Sequence, residues 1–470
     1  MQPISSLVIF ALLAAPAAQA LQLPAPDLAT LLASDAKQKG PTAYRFAAPL
    51  AVKFTPSTHG VWSTLADGRM QWTMKLSSPG ATSLNFAFSR YQLPPGAQLK
   101  ISGGPDVRGP YTERENRLGQ LWTPVVRSSE AKLVLTVPAA AKNLVTLELT
   151  QVNHGFRGFG TKDAVSGKSG GCNVDVVCPA GDEWRDEIRS VARFTIGGAL
   201  LCSGQLVNNT ARDFTPYFLT AGHCASAVLA PTTVFYWNYE TSRCGGSPDG
   251  SLNQTQSGAR LVATSIPDPH QPSSDFSLLQ LDETPDPAFG VYYAGWDNRD
   301  LAPVGVTAIH HPAGDEKRIS FDFDATDITP YASDPGAAGF PTHLRIADWD
   351  VGTTEGGSSG SGIWNTERRL VGTLSGGAAA CGNDEPDWYG RLHSHWFDLP
   401  TPLTSVASYL DPTNSGAVTL DGADPHPGTA ATRAPTAESR ALILAGAMPA
   451  VALCLLLIAA LPALRRRKAP

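Results

Sequence analysis

The chain has 470 residues, of which 42% are hydrophobic and 17% are charged, and its formal net charge is −6. This length suffices for two or three domains and for a large hydrophobic core. The composition excludes a disordered chain, a collagen and a coiled coil, and the dispersed, mildly acidic charge argues against nucleic acid as a partner. Seven cysteines are an odd number, so one of them must lie outside any set of disulfide pairs.

Residues 1–20 have the features of a secretory signal peptide. An apolar stretch from Leu7 to Leu13 precedes the small-residue ending Ala18-Gln19-Ala20, which predicts cleavage after Ala20. We therefore expect the rest of the protein to be exported to a compartment in which disulfides form.

No cysteine lies between residues 21 and 171, and residues 21–168 are predicted to form a separate β-rich domain. Apolar and polar residues alternate in stretches such as Gln71–Leu76 and Leu133–Val137, and turn signals such as Pro94-Pro95-Gly96 separate these stretches. This pattern favours an antiparallel β-sandwich. The Ser- and Gly-rich stretch from Asp163 to Gly171 is predicted to be a flexible connector.

The second domain, assigned to residues 169–421, contains three stretches with catalytic potential. An apolar strand leads to His223, which can act as a general base. Asp275 opens another strand, where a buried carboxylate can orient a histidine. Ser359 lies among glycines that allow a tight turn and can aim backbone N–H groups at one point. Taken singly, the three stretches are also compatible with a structural histidine, a turn aspartate and a linker.

The order His, Asp, Ser in this exported domain resembles the chymotrypsin/trypsin superfamily of serine proteases, through the stretches TAGHC, DFSLLQL and GGSSGSG. Within that superfamily the chain is similar to the bacterial lysyl endopeptidases. Matching stretches include CNVDVVCP from Cys172, AGWDNRD from Ala294 and DWYGR from Asp387. The resemblance implies an all-β protein, with a chymotrypsin-like double β-barrel preceded by a β-sandwich-like pro-region.

The resemblance also implies the catalytic residues. His223 is expected to be the general base, Asp275 its orienting carboxylate and Ser359 the nucleophile. The backbone N–H groups of Gly357 and Ser359 would form the oxyanion hole. Neither a metal nor another cofactor is expected.

Six cysteines lie in the second domain, and the seventh, Cys454, lies in an apolar C-terminal segment. Six cysteines in an exported domain suggest three disulfides, whose connectivity the sequence alone leaves open. The resemblance implies the pairs Cys172–Cys381, Cys178–Cys244 and Cys202–Cys224.

Substrate choice is predicted to depend on Asp387. The resemblance puts its carboxylate at the base of the S1 pocket, with Ser375, Gly376 and Gly377 also binding substrate, whereas the alternative is a solvated loop aspartate. A buried carboxylate selects a cationic side chain, so Lys or Arg is expected at P1. Strict lysyl members carry a His at the position of Ser375 and a Trp stacked on it. The corresponding region, 331–339, has no Trp here, and we therefore expect cleavage after both residues.

The C-terminal end is predicted to contact a membrane. Residues 422–440 are a Pro-, Ala- and Thr-rich linker, and residues 441–464 are an uncharged apolar segment long enough for a transmembrane helix. The basic tail 465–470 predicts a cytoplasmic C-terminus. The segment also resembles bacterial sorting tails that are removed, so a permanent anchor and a processed tail both remain open.

The sequence therefore predicts an extracytoplasmic serine endopeptidase, made as a precursor, that acts on proteins or peptides with Lys or Arg at P1. Lys168 is the predicted site at which the pro-region is removed, with Arg157 and Lys162 as alternatives. A non-catalytic binding module on the same fold and an esterase are the rival functions.

Overall fold

The structure is a computed structural model that describes residues 20–38, 40–159, 169–266, 270, 272–398, 401 and 403–427. Lys168, residues 1–19 of the predicted signal peptide and every residue from 428 onward lie outside these ranges, so the predictions made for them stay predictions. No helix within the described ranges is both long and apolar enough to cross a membrane.

The N-terminal part of the chain consists mainly of short strands. It contains the α-helix α1 (Leu28–Asp35) and the 3-10 helices Glu113–Glu115 and Ala139–Leu144. Its strands are β1 (Leu21–Gln22), β2 (Tyr44–Arg45), β3 (Ala47–Phe54), β4 (Val61–Thr64), β5 (Met70–Ser77), β6 (Ser83–Gln92), β7 (Gln98–Gly103), β8 (Asp106–Tyr111), β9 (Leu121–Trp122), β10 (Glu130–Val137) and β11 (Thr146–Gly155).

Two sheets of this part face each other across one core. One sheet has the order β1-β5-β10-β7-β8, with β4 beside β5, and the other has the order β3-β11-β6-β9. Both sheets contribute buried side chains to the core, among them Trp72, Leu135, Phe86 and Val152. Along β10 burial alternates from residue to residue, as its period-two sequence predicts. The N-terminal part is therefore a β-sandwich.

The second part of the chain is also mostly β. Its helices are α2 (Arg185–Ser190), α3 (Leu392–Phe397) and α4 (Ala407–Leu410), and its 3-10 helices are Pro179–Trp184, Gly222–Cys224, Ala230–Thr232, Pro287–Phe289 and Pro312–Gly314. Its strands are β12 (Val174–Asp175), β13 (Val191–Ile196), β14 (Leu200–Leu206), β15 (Tyr217–Thr220), β16 (Val234–Trp237), β17 (Thr255–Ser257), β18 (Ala259–Ser265), β19 (Phe276–Leu281), β20 (Trp296–Asp297), β21 (Val304–His310), β22 (Arg318–Ala325), β23 (Asp327–Thr329), β24 (His343–Ile346), β25 (Gly362–Asn365), β26 (Leu370–Gly377), β27 (Asp387–Arg391) and β28 (Thr419–Leu420).

These strands form two sheets, and one bent strand closes each sheet into a barrel. The first sheet has the order β16-β13-β14-β15-β19, and the consecutive strands β17 and β18 pair with its two outer strands. The second has the order β21-β25-β26-β27-β24, and β22 and β23 pair with its outer strands. Only Gly258 and Thr326 separate the halves of the bent strands. The result is the double β-barrel that the resemblance implies.

The sandwich contacts the first barrel directly. Strand β2 pairs antiparallel with Leu200 and Leu201 at the start of β14. Phe159, at the end of the described N-terminal part, packs on the buried Arg193, whose guanidinium carbon lies 3.9 Å from the centre of the phenylalanine ring. The N-terminal part thus adds a strand to the edge of the barrel.

Candidate active site

Two adjacent strands of the first barrel hold His223 and Asp275 together. His223 follows β15 and Asp275 precedes β19, and since these strands pair antiparallel, both residues lie at the same end of the pair. The Asp275 carboxylate accepts a hydrogen bond from the backbone N–H of His223 at 2.9 Å, and its other oxygen lies 2.8 Å from Nδ1 of the ring. These two contacts fix the position and the orientation of the imidazole.

The environment keeps Asp275 ionised. The residue is only 2% exposed. Burial alone would raise the pKa of Asp275, but the charge and the hydrogen bonds of His223 outweigh it, and the pKa is lower than usual. An ionised carboxylate in this position can stabilise the imidazolium that forms when His223 takes a proton.

Contacts between the barrels bring the backbone of Ser359 close to Cys224, the residue after His223, whose Sγ lies 3.9 Å from the carbonyl oxygen of Ser359. Ser359 lies in the glycine-rich loop before β25, and its carbonyl oxygen accepts a hydrogen bond from the N–H of Ser203 on β14 at 2.9 Å. The neighbouring Cys202 is disulfide-bonded to Cys224, the residue after His223. Within the described residues, Nε2 of His223 is buried and has no hydrogen-bond partner, so it is available to accept a proton.

Two glycines let the loop pass close to its neighbours. Gly360 has a φ of +80°, and a Cβ there would lie 2.0 Å from Oγ1 of Thr220 and 2.6 Å from backbone atoms. Gly357 has a φ of +100°, and a Cβ there would lie 2.9 Å from the carbonyl oxygen of His311. In the described part of the chain, the N–H groups of Gly357 and Ser359 donate to no backbone acceptor. They could therefore donate to an oxyanion.

A buried histidine supports the residue before Ser359, a contact that sequence reasoning missed. The hydroxyl of Ser358 lies 2.8 Å from Nδ1 of His310, and the hydroxyl of Ser320 lies 3.1 Å from Nε2 of the same ring. Burial lowers the pKa of His310 to about 3, so the ring is neutral near pH 7. Neutral hydrogen bonds thus hold this part of the loop.

Asp387 is buried at the start of β27. It is 1% exposed, so the alternative of a solvated loop aspartate is wrong. Its Oδ2 accepts hydrogen bonds from Nε1 of Trp349 at 2.8 Å and from Oγ1 of Thr354 at 2.7 Å. Burial raises the pKa of Asp387, and these hydrogen bonds offset the effect only in part. Within the described residues, no cation compensates this carboxylate.

Strand β26 places two glycines close to Asp387 and Tyr331. Gly377 pairs with Asp387 in the ladder, and a Cβ at Gly377 would lie 2.2 Å from Oδ1 of that carboxylate. Gly376 has a φ of +143°, and a Cβ there would contact the hydroxyl of Tyr331 at 3.6 Å. Glycine at position 377 therefore lets the carboxylate of Asp387 lie directly against the backbone of β26.

The side chain of Ser375 faces Asp275. Its hydroxyl lies 3.1 Å from Nε2 of His343, and its hydrogen bond to Asp275 contributes to the low pKa of that carboxylate. The ring of His343 lies 5.2 Å from that of Tyr331, centre to centre. A histidine therefore does lie against an aromatic ring here. This histidine, His343, belongs to β24 and does not occupy the position of Ser375.

Among the described residues there are three disulfides, with the pairing that the resemblance implies. They are Cys172–Cys381, Cys178–Cys244 and Cys202–Cys224.

Comparison with known proteins identifies the family. Residues 166–390 match the family described as lysyl endopeptidase, C-terminal domain. A lysyl endopeptidase from Pseudomonas aeruginosa is 30% identical over 386 residues, which cover 75% of this chain and 77% of that protein. This chain belongs to the lysyl endopeptidase family. It is a trypsin-like serine endopeptidase, and the prediction of this enzyme class is confirmed.

Solved structures are more distant. The Rv3671c protease of M. tuberculosis, in an inactive form, is 15% identical, with 46% of this chain and 89% of that chain covered and a TM-score of 0.29. A Glu endopeptidase in complex with MPD is 17% identical, with 43% and 85% covered and the same TM-score.

A Gly360→Ala substitution should impair the candidate active site, because the new Cβ would collide with the side chain of Thr220 and with the backbone of Ser203 and Ala221. We expect kcat/KM on peptides to fall at least about 100-fold, the effect of losing an oxyanion-hole donor. Gly336→Ala is the matched control, since Gly336 also has a positive φ, of +83°, but has open space around it. Circular dichroism would show that both variants are folded. Equal activity of the two folded variants would contradict the close approach of Gly360 to Thr220.

Proposed function

We propose that the protein is an extracytoplasmic endopeptidase that cleaves after Lys and Arg, with His223, Asp275 and Ser359 as its catalytic triad. The observation that carries this specificity is the buried carboxylate of Asp387, which has hydrogen-bond donors but no cation within the described residues. A cationic P1 side chain would compensate that charge. The name of the lysyl endopeptidase relative supports lysine as one such side chain.

In the proposed mechanism, Oγ of Ser359 attacks the scissile carbonyl carbon while Nε2 of His223 takes the serine proton. Asp275 stabilises the imidazolium through Nδ1, and the N–H groups of Gly357 and Ser359 bind the oxyanion. The C–N bond then breaks as His223 returns the proton to the leaving amine. Water hydrolyses the acyl-enzyme by the same steps and regenerates the serine.

The N-terminal domain is proposed to be a pro-region that covers the active site. Strand β2 occupies the edge of β14, and a Cβ at Gly356 would lie 2.8 Å from the ring of Tyr44. Tyr44 and Arg45 line a cavity together with His223 and Gly356. A substrate that approached His223 from this side would therefore meet the N-terminal domain.

The C-terminal segment 441–464 lies outside the described residues, and we propose that it tethers the enzyme to a membrane unless the tail is processed. This proposal depends on its length and on the basic residues that follow it.

With the pro-region removed from both proteins by an added protease, a Ser359→Ala substitution should lower peptide hydrolysis at least about 10⁴-fold, because the nucleophile is lost. Hydrolysis of peptides and of matched esters, measured side by side, separates the rival functions. The control is Ser251→Ala at an exposed serine. Full peptidase activity of the Ser359→Ala variant would refute this nucleophile, and turnover of esters alone would favour the esterase.

An Asp387→Asn substitution should abolish the preference for basic residues, because the amide carries no charge to compensate the P1 cation. We expect kcat/KM for Lys and Arg peptides to fall about 100-fold or more, and that for a matched Leu peptide to stay low and unchanged. Asp384→Asn, at an exposed aspartate in the adjacent loop, should change none of these values. A wild-type enzyme that prefers apolar P1 residues would refute the proposed pocket.

The mature wild-type protein should begin at Ser169, and the Ser359→Ala chain should keep its pro-region if processing is autocatalytic. Intact-mass measurement of both secreted proteins tests this. Arg157 is the less suitable alternative site, since its side chain is held in an ion pair with Asp35. A mature chain that starts well upstream of Arg157 would contradict the assignment of residues 21–168 as a pro-region.

A further inference from the structure

A buried histidine of helix α3 contacts the segment that carries Asp275, and the proposed mechanism gives it no role. The side chain of His395 is fully buried, and its Nδ1 lies 2.8 Å from the hydroxyl oxygen of Ser274, the residue before Asp275. The centre of its ring lies 4.5 Å from that of Phe276, the residue after Asp275. His395 therefore contacts both chain neighbours of the proposed orienting carboxylate.

The other ring nitrogen of His395 is held by the second barrel. Its Nε2 lies 3.0 Å from Oγ1 of Thr373 on β26, and Thr373 is fully buried as well. Burial lowers the pKa of His395 to about 3, so the ring is neutral near pH 7. A neutral imidazole has one donor and one acceptor nitrogen, and a hydroxyl can partner either of them. The ring is thus a bridge from β26 to Ser274.

The backbone of Asp275 has a conformation that needs support from its surroundings. Its φ is +53°, which lies in the left-handed region that residues other than glycine rarely adopt. Such a conformation is costly and persists only where neighbouring groups hold it. Contacts to the residues on either side of Asp275 therefore matter for where its carboxylate lies.

Other parts of the second barrel restrain the same segment. The hydroxyl of Thr342, just before β24, donates to the carbonyl oxygen of Ser273 at 2.9 Å. Gly390 on β27 lies so close to the segment that a Cβ on it would overlap the carbonyl oxygen of Ser274. The chain that leads into Asp275 is thus held by the second barrel, although Asp275 itself opens a strand of the first.

We propose that His395 is a positioning residue of the active site, which fixes the chain on both sides of Asp275 so that the carboxylate keeps its two contacts with His223. Those contacts, with the backbone N–H and with Nδ1 of the ring, are 2.9 and 2.8 Å long. The proposal rests on the catalytic triad proposed above and adds a residue that supports it. His395 acts through Ser274 and Phe276 and touches no reacting atom.

Loss of this bridge should affect the chemical step more than substrate binding. A displaced carboxylate would no longer hold the imidazole in line with the nucleophile, and small misplacements of catalytic groups lower the rate strongly. The proposed P1 pocket has supports of its own, since Trp349 and Thr354 hold Asp387. We therefore expect kcat to fall while KM stays nearly constant.

Two conservative substitutions separate the two contacts of the ring. The amide of an asparagine can take the place of Nδ1, and the longer glutamine can place its amide near Nε2. His395→Asn can thus keep the hydrogen bond with Ser274, whereas His395→Gln can keep only the one with Thr373. Each full chain would be expressed, its pro-region removed by an added protease, and kcat and KM measured on a peptide with Lys at P1.

We expect His395→Gln to lower kcat about 10- to 100-fold, with KM within about two-fold, and His395→Asn to keep kcat within about three-fold of the wild type. An equal loss in both variants would show that the ring only fills space, and an unchanged kcat in both would show that it is not needed. A greater loss with Asn than with Gln would assign the effect to Thr373. Each of these three results would overturn the proposal.

Ser274→Ala provides a second arm, because it removes the hydroxyl that His395 contacts. It should lower kcat to about the level of His395→Gln, and the double variant should be no slower than either single one, since all three lack the same hydrogen bond. Losses that add up in the double variant would contradict the proposal.

His393→Gln is the matched control on the same helix. The Nδ1 of His393 lies 2.9 Å from the carbonyl oxygen of Asn298 and does not contact the segment before Asp275. This variant should keep the kcat of the wild type. A fall as large as that of His395→Gln would show that any change in α3 disturbs the enzyme, and would contradict a specific role of His395.

Asp275→Asn, measured in the same series, separates a failure of this proposal from a failure of the proposed triad. It should lower kcat at least about 1,000-fold. An unchanged kcat in Asp275→Asn would refute the triad itself. A large loss in Asp275→Asn together with an unchanged kcat in His395→Gln would refute only the role of His395.

Discussion

The proposed mechanism depends on holding Ser359 of one barrel against His223 of the other. Ser203 on β14 makes that connection twice, because its N–H donates to the carbonyl oxygen of Ser359 and its hydroxyl donates to that of Gly357, both at 2.9 Å. The preceding residue, Cys202, is disulfide-bonded to the residue after His223. A short piece of one strand therefore positions the proposed base, the proposed nucleophile and the oxyanion hole together.

Three buried carboxylates of the second part of the chain differ in what compensates their charge. Asp275 has His223 as a permanent partner, and its pKa is low as a result. Asp387 and Asp315 have raised pKa values because burial is not matched by a cation. In our proposal a P1 side chain compensates Asp387. The cost of burying an unpaired charge would thus be used for specificity.

The main parts of the candidate site could be predicted because they lie in short, locally informative stretches. Ser359 stands among glycines that a tight loop requires, and His223 and Asp275 stand at the ends of clearly apolar strands. The supporting contacts could not be predicted, because they join residues far apart in the sequence. Trp349 reaches Asp387 across 38 positions, and His310 reaches Ser358 across 48. No local pattern marks either pair.

Reaction with phosphonate inhibitors that carry Lys, Arg or Leu at P1 tests the central claim most directly, because it reports the nucleophile and the pocket together. The mature protein would be treated with each compound, and the rate and the position of the adduct would be followed by mass spectrometry. We predict one adduct, on Ser359, that forms at least about 100-fold faster with Lys and Arg than with Leu. An adduct on another residue, or faster reaction with Leu, would contradict the proposed site.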